Sequence, residues 1–222
     1  MFIVIEGIDA SGKTETTRAV MKKLEDRNYS VDFLSRKNPK IEDKEVLLYS
    51  EKLSGLVWND NPNVFPKAFL SGDAWALQLA LWFKVIEENC VKKSTCDIQI
   101  IDGWFYKYYA RLLQNKQNNR QLMDTLMNLL DSCTYVFWLD VPPVKCWERR
   151  QQFKLTEIAP FGETVIDPKT SFVNFQTNIS TVMKTLAKAN QWKVIDCEGK
   201  SVDQISNEIT EQIEVLLNGK EN

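Results

Sequence analysis

The segment Gly7–Thr14 has the residue types and spacing of a phosphate-binding loop, G-x-x-x-x-G-K-S/T. In such a loop the backbone N–H groups point at a polyphosphate, helped by the positive end of the helix that follows. Lys13 would bring its charge to the β- and γ-phosphates, and the Thr14 hydroxyl would bind Mg²⁺. Glycines in the loop allow a close backbone approach that side chains would prevent. We expect an ATP and Mg²⁺ site that includes Gly7, Ala10, Ser11, Gly12, Lys13 and Thr14.

Two aspartates end apolar segments that predict strands of a parallel sheet. Asp102 follows residues 98–101, and Asp140 follows residues 136–139. In open α/β sheets ligands bind beyond the carboxyl ends of the strands, so both carboxylates face the predicted site. Either can hold Mg²⁺ through water or orient the attacking group, and either can instead cap the next helix. We assign the metal-binding and catalytic role to Asp102.

A third feature is a pair of arginines before an irregular segment. Arg149 and Arg150 precede residues 153–170, which contain turn residues and no sustained periodicity. We expect a mobile lid over about 149–170, whose arginines stabilise the negative charge that develops in phosphoryl transfer. The alternative is an ordinary surface loop beside two solvated arginines.

Three further cations are candidates for binding an anionic acceptor. Arg36 ends the second predicted strand, where it can bind an acceptor phosphate. Lys107 and Arg111 are one helical turn apart, and they either reach the acceptor or form an exposed basic stripe. The aromatic residues around them can line a pocket for a flat base, although core packing explains most of them.

Alternating elements position these residues. Short apolar segments predict five strands, at 2–6, 31–36, 98–102, 134–140 and 192–196. Helical segments are predicted at 13–28, 73–91, 105–114, 120–131, 143–152 and 172–190, and a capping box at Ser201 begins the last helix. Residues 42–70 are less regular. We predict one domain over residues 1–222, an α/β P-loop fold with a five-stranded parallel sheet flanked by helices and a short lid.

Composition excludes several classes of function. The 222 residues carry a net charge of −2, which argues against a surface that coats nucleic acid. The chain has no histidine, which excludes an imidazole base and a Ser–His pair. Five scattered cysteines suit a reducing compartment. Neither a signal peptide nor an apolar stretch of the ~20 residues of a membrane helix is visible. We expect a cytoplasmic protein with a small-molecule acceptor and no nucleic-acid or membrane partner.

The segment Phe2–Thr14 closely resembles the opening strand and loop of the thymidylate kinase family, including the extra aspartate Asp9. Residues 139–143, followed by Glu148 and Arg149, resemble that family's fourth-strand signature, and residues 35–39 resemble its arginine–proline turn. The resemblance implies transfer of the γ-phosphoryl group of ATP to a deoxynucleoside monophosphate, with Mg²⁺ and without a covalent intermediate.

The resemblance also assigns roles. Asp9 would contact the sugar or phosphate end of the acceptor, Arg36 its phosphate, and Arg149 or Arg150 the phosphates of the donor. It further implies a homodimer, for which the helices at 73–91 and 105–113 offer apolar surfaces. The expected acceptor-site residues are Asp9, Arg36, Phe69, Lys107 and Arg111.

Two departures from the family pattern concern the acceptor. Gly103 stands where the family has an arginine after the third-strand aspartate, and Ala74 where its helix arginine is expected. Loss of charged donors changes the acceptor or weakens its binding. Three hypotheses follow: a kinase of dTMP or a related nucleotide, a kinase of an unphosphorylated small molecule such as a nucleoside or an antibiotic, and a nucleotide-binding regulatory subunit without kinase activity. A GTPase switch is disfavoured, since the chain lacks an Asn-Lys-x-Asp motif.

Overall fold

The sheet has the predicted parallel architecture. The computed structural model describes residues 1–36, 38–58, 71–130, 135–150, 152–160, 165 and 167–219. The strands are β1 Phe2–Gly7, β2 Val31–Phe33, β3 Ile98–Asp102, β4 Tyr135–Asp140 and β5 Lys193–Asp196. All pairs are parallel, and the order across the sheet is β2-β3-β1-β4-β5. The predicted α/β fold with a five-stranded parallel sheet is confirmed.

Helices follow the strands along the chain. They are α1 Lys13–Glu25, α2 Lys44–Val57, α3 Gly72–Ile86, α4 Tyr106–Leu112, α5 Arg120–Leu129, α6 Pro143–Glu148, α7 Leu155–Ile158, α8 Pro168–Ala189 and α9 Val202–Asn218. A π-helical turn, Glu87–Val91, continues α3. The capping box predicted at Ser201 is present at the start of α9.

The central strand β1 carries the phosphate-binding loop to the middle of the sheet edge. Its residues Ile3, Val4 and Ile5 are fully buried, because helices cover both faces of a parallel sheet. Val20 and Leu24 of α1 pack into the same core. Since β1 lies between β3 and β4, the loop that follows it lies between the carboxyl ends of those two strands.

The helix α2 was missed in the region predicted to be irregular. Asp43 caps its N-terminus, with a carboxylate that accepts hydrogen bonds from the N–H groups of Glu45 and Val46. Its buried face is narrow, while Leu48 and Leu56 are exposed on other sides. An apolar pattern spread around a helix hides its periodicity.

Several predicted boundaries were also wrong. The helix α1 ends at Glu25 instead of residue 28, and α6 ends at Glu148 instead of residue 152. The ladder of β2 ends after the N–H of Leu34 donates to the carbonyl of Ile100, so Arg36 lies beyond the strand instead of ending it. The helix α8 begins at Pro168, within the segment predicted to be irregular, because Asp167 caps its first turn. A capping residue before a proline in the first helical turn is a start signal that was overlooked.

The two helices proposed as dimer surfaces differ in what they expose. On α3, Leu77 and Leu81 are about half exposed. On α4, the residues Tyr106, Tyr109 and Leu112 are buried within the chain. The homodimer remains a prediction, and the exposed leucines of α3 are the feature that would carry it.

None of the described helices combines the length and the apolar character needed to cross a bilayer.

Candidate active site

The loop between β1 and α1 presents the uncapped start of a helix. Gly12 precedes α1 with a φ of 92°, a left-handed conformation that favours glycine. Among the described residues no side chain caps this end, and the first backbone bond of α1 runs from the N–H of Thr16 to Gly12. The N–H groups of residues 13–15 therefore have no partner within the helix. Such N–H groups at the positive end of a helix bind anions.

The ammonium of Lys13 folds back over the loop. Its Nζ donates to the carbonyl of Gly7 at 2.8 Å and to that of Ile8 at 2.7 Å. Burial, together with the charge of Lys107, lowers the pKa of Lys13 to about 8, against the opposing carboxylate of Asp9. Two neutral carbonyls compensate a buried ammonium poorly, so a phosphate oxygen would be a stronger partner.

The Thr14 hydroxyl and the Asp102 carboxylate lie side by side and offer oxygen ligands for a metal ion. Thr14 Oγ1 donates to Asp102 Oδ2 at 2.7 Å, which joins the start of α1 to the end of β3. Hydroxyl and carboxylate oxygens are the ligands that Mg²⁺ prefers, so this pair fits the predicted metal. Asp140, on the other side of β1, instead forms an ion pair with Lys184 at 2.9 Å. The geometry thus brings Asp102 to the loop threonine.

Asp9 is the centre of a buried ion network. Lys107 Nζ lies 2.8 Å from Asp9 Oδ1, and Arg111 Nη2 lies 2.8 Å from Asp9 Oδ2. Gln176 Nε2 donates to the same Oδ2 at 2.9 Å. Burial alone would raise the pKa of Asp9, but the charges of Lys107 and Arg111 outweigh it and hold the pKa well below its usual range. The alternative of an exposed basic stripe is wrong, since both cations are largely buried.

Arg36 lies beside the carboxyl end of β3. Its guanidinium donates to the hydroxyl of Tyr108 at 3.3 Å and to the carbonyl of Asp102 at 3.2 Å. The guanidinium also packs against the rings of Phe83 and Tyr108, each 5.8 Å away. Within the described part of the chain, these contacts fix its plane and use only part of its five N–H donors. The remaining donors can bind an anion.

Gly103, which lies next to Arg36, has a backbone conformation that favours glycine. It has a φ of 88°, and a Cβ built there would lie 3.7 Å from both Arg36 Nη2 and Glu6 Oε2. An arginine at this position would have to adopt a left-handed conformation. The other departure, Ala74, lies in the first turn of α3, where its N–H donates to the Oγ of Ser71.

The structure separates the two arginines that precede the predicted lid. Arg149 Nη1 donates to the carbonyl of Ser11 at 3.2 Å and so lies over the phosphate-binding loop. Arg150 Nη1 forms an ion pair with Glu157 of α7 at 3.0 Å. Phe153 stacks on Trp147 of α6, with the ring centroids 4.8 Å apart. Of the pair, only Arg149 contacts the loop.

A cleft of about 190 Å³ lies next to Arg149, at the carboxyl ends of β4 and β5. Its walls include Val141 and Pro142 on one side and Cys197 and Gly199 on the other. Because Arg149 reaches both the cleft and the loop, a molecule with a flat ring and a phosphate chain can span the two.

Sequence reasoning missed two buried polar residues. Glu6 is fully buried, and its Oε1 accepts a hydrogen bond from the N–H of Trp104 at 2.7 Å. Burial raises the pKa of Glu6, although the N–H of Trp104 opposes this. Gln176 is fully buried on the apolar face of α8, between Phe172 and Ile179. A polar residue within an apolar stripe was the available signal in both cases. Phe69, predicted at the acceptor site, lies outside the described residues.

Comparison with known proteins finds a distant relative. A thymidylate kinase from Prochlorococcus marinus (strain MIT 9515) is 25% identical over 218 residues, which are 96% of this chain and 95% of the relative. No protein-family model matches the chain. The similarity covers nearly the whole chain, and the sheet order with its loop after the central strand agrees with a P-loop kinase fold.

Proposed function

We propose that the protein is a phosphotransferase that moves the γ-phosphoryl group of Mg·ATP to a nucleoside monophosphate, dTMP or a related nucleotide. The observation that carries this proposal is the convergence of Lys13, Thr14 and Asp102 at the uncapped start of α1. The Lys13 ammonium and the N–H groups at the start of α1 suit the negative phosphates, and the oxygens of Thr14 and Asp102 suit the metal ion of a metal–polyphosphate complex. The similarity to a thymidylate kinase along nearly the whole chain supports the same activity.

On this proposal the donor nucleotide lies across the loop and the adjoining cleft. The N–H groups at the start of α1 and the ammonium of Lys13 bind its phosphates, and its base enters the cleft beside Arg149. Thr14 and Asp102 would hold Mg²⁺, which when bound offsets the charge of the phosphate oxygens. When the nucleotide binds, the Lys13 ammonium replaces its hydrogen bonds to the carbonyls of Gly7 and Ile8 with hydrogen bonds to phosphate oxygens.

The transfer needs positioned charge more than covalent chemistry. An acceptor phosphate oxygen forms a bond to the γ-phosphorus as the bond from that phosphorus to the β-phosphate oxygen breaks, so that ADP leaves with the electron pair. Arg149, which is within reach of the loop, stabilises the negative charge on the oxygens of the γ-phosphoryl group in the transition state. Arg150 serves a different purpose, because its pairing with Glu157 holds α7.

The acceptor is proposed to bind on the β3 side of the loop. Arg36 has donors left for a phosphate, and the Tyr108 ring beside it offers a surface for a base. Asp9 of the loop, paired with Lys107 and Arg111 of α4, lies where the loop meets this side. Phe69 is retained as an acceptor contact from the sequence prediction alone.

A second candidate has a specific observation in its favour. Lys107 and Arg111 are both paired with Asp9. Among the described cations on the acceptor side, this leaves Arg36 without a carboxylate at ion-pair distance. Together with glycine at position 103 and alanine at 74, this arrangement suits an acceptor with less charge. A nucleoside or another unphosphorylated alcohol is therefore the alternative substrate class.

The experiment that separates these candidates measures ADP release from Mg·ATP with a panel of nucleoside monophosphates, free nucleosides and a control without acceptor. Stimulation by a monophosphate, with the nucleosides inactive, supports the leading proposal. Stimulation by nucleosides alone transfers the proposal to the second candidate. Tight ATP binding without turnover on any acceptor would instead indicate a nucleotide-binding regulatory subunit.

A further inference from the structure

Gln176 connects the phosphate-binding loop to the short helix α7. Its Nε2 donates to Asp9 Oδ2 at 2.9 Å and to the carbonyl of Glu157 at 2.8 Å. Its Oε1 accepts a hydrogen bond from the backbone N–H of Asp9 at 3.2 Å. One buried amide therefore contacts the loop through both a donor and an acceptor, and contacts α7 through the same donor nitrogen.

Arg111 makes a parallel connection. Its Nη2 lies 2.8 Å from Asp9 Oδ2 and 2.8 Å from the carbonyl of Thr156, and its guanidinium packs on the ring of Phe175 at 5.7 Å. We call Asp9, Arg111 and Gln176 the Asp9 bridge. It ends on two consecutive carbonyls of α7, those of Thr156 and Glu157.

The bridge matters because neither of the parts it joins can hold its own conformation. A helix of four residues, Leu155–Ile158, is far below the length at which a helix is stable alone. On the loop side, Asp9 precedes Ala10, which has a φ of 61°, in the left-handed region that is unfavourable for alanine. External hydrogen bonds are needed to fix both segments.

We propose that Gln176 is a positioning residue that fixes the backbone of the phosphate-binding loop at Asp9 and couples the loop to α7. Its effect on phosphoryl transfer rests on the proposed function, whereas its effect on the two segments does not. An amide is required at this position, since the Asp9 N–H needs an acceptor while the Asp9 carboxylate and the Glu157 carbonyl need a donor. A side chain that supplies neither would release the loop and α7 together.

The test replaces Gln176 with methionine, which keeps the length of the side chain and removes its hydrogen bonds. The matched control is Asn178→Met, on the same helix but exposed. Hydrogen exchange is followed at the Asp9 amide, at the amides of Ile158 and Ala159, which bond within α7, and at Ile209 in the distant α9. Trypsin cleavage after Lys154, at the start of α7, is measured on the same proteins.

The inference predicts that Gln176→Met speeds exchange at both Asp9 and α7, and cleavage after Lys154, by about tenfold or more, with Ile209 unchanged. Asn178→Met should change none of them. The kcat/KM for Mg·ATP should fall by a similar factor. Acceleration at one segment alone, or an equal acceleration at Ile209, would overturn the coupling, because it would show a local or a merely global loss of stability.

A second variant guards against failure to fold. Gln176→Asn keeps the amide but shortens it by one methylene group, so it cannot span from Asp9 to α7, and it should give the same pattern of exchange. Exchange and proteolysis need neither nucleotide nor acceptor. If the wild-type protein binds no ATP, the proposed function fails while the exchange result still decides whether the bridge exists.

Discussion

Thr14 and Asp102, which are 88 residues apart in the chain, are joined by a hydrogen bond of 2.7 Å across the carboxyl ends of β1 and β3. Parallel pairing of β1 with β3 creates this contact, because Ile5 and Asp102 are register partners. The phosphate-binding loop thereby gains a second carboxylate, beside Thr14, in addition to its own Asp9. The contact favours Asp102 over Asp140 for the proposed metal site.

Replacement of that aspartate should be specific. Asp102→Asn keeps the shape of the side chain but removes the negative charge offered to Mg²⁺, so we expect kcat/KM for Mg·ATP to fall about a hundredfold. The Mg²⁺ concentration needed for half-maximal rate should rise. Asp140→Asn is the matched control, since Asp140 pairs with Lys184. Equal losses in the two variants would remove Asp102 from the metal site.

Substitution of Arg149 and of Arg150 should have different kinetic effects, because Arg149 contacts the loop and Arg150 contacts α7. Arg149→Ala should lower kcat about a hundredfold with a smaller change in KM for ATP, because a charge that acts in the transition state is lost. Arg150→Ala removes a partly exposed ion pair with Glu157 and a contact with the Phe153 ring, and it should have a much smaller effect. Steady-state kinetics of both variants test this. An Arg149→Ala variant changed in KM alone would make that arginine a docking residue.

Arg36 should distinguish a charged from an uncharged acceptor. If the acceptor is a monophosphate, Arg36→Gln should raise its KM by about tenfold or more, because a charge-assisted hydrogen bond is lost, while KM for ATP changes little. Lys40→Gln, which removes an exposed cation paired with Asp32, serves as the control. An unchanged KM for the monophosphate would contradict the proposed contact.

The Asp9 network should appear in stability. Asp9→Asn leaves Lys107 and Arg111 buried without their anion, so the free energy of unfolding should fall by about 3 kcal/mol near neutral pH. Glu148→Gln, in an exposed pair with Lys145, should change it little. Urea unfolding of the three proteins measures both effects. A loss no larger in Asp9→Asn than in the control would mean that the network contributes nothing to stability.

The same network fixes a pH dependence. The pKa of Asp9 is held below its ordinary value of 3.8, so the folded protein binds this proton less readily than the unfolded chain does. The stabilisation is therefore complete above the unfolded pKa and is lost as the pH falls below about 4. The stability difference between wild type and Asp9→Asn should shrink between pH 5 and about pH 3. A difference that stays constant would contradict the depressed pKa.

Much of the fold could be predicted from local pattern. The strands β1, β3 and β4 are continuous apolar segments because helices bury both of their faces, and such segments are visible in the sequence. The helix α2 could not be found in this way, since Leu48 and Leu56 lie on its exposed side. Its stability comes from a capping aspartate and from packing against α3, and only the cap is visible in the sequence.

In the candidate site, too, some features could be predicted from local sequence and others required the structure. Lys13 and Thr14 were predicted because a phosphate-binding loop is encoded in consecutive residues. The pairing of Asp9 with Lys107, Arg111 and Gln176 was not predicted. These residues lie 98, 102 and 167 positions after Asp9 in the sequence, on the helices α4 and α8. Periodicity gives the face on which a residue lies, and it does not say which buried charges meet. The pairing of the two cations with Asp9 therefore required the structure.

The most direct test of phosphoryl transfer uses ATP labelled at its γ-phosphorus and follows where the label goes. Wild-type protein with Mg²⁺ and the acceptor selected by the panel should move the label to the acceptor, with little released as inorganic phosphate. Lys13→Ala should abolish that transfer, because it removes the charge that binds the β- and γ-phosphates. Label released only as inorganic phosphate, or transfer that survives Lys13→Ala unchanged, would contradict the account.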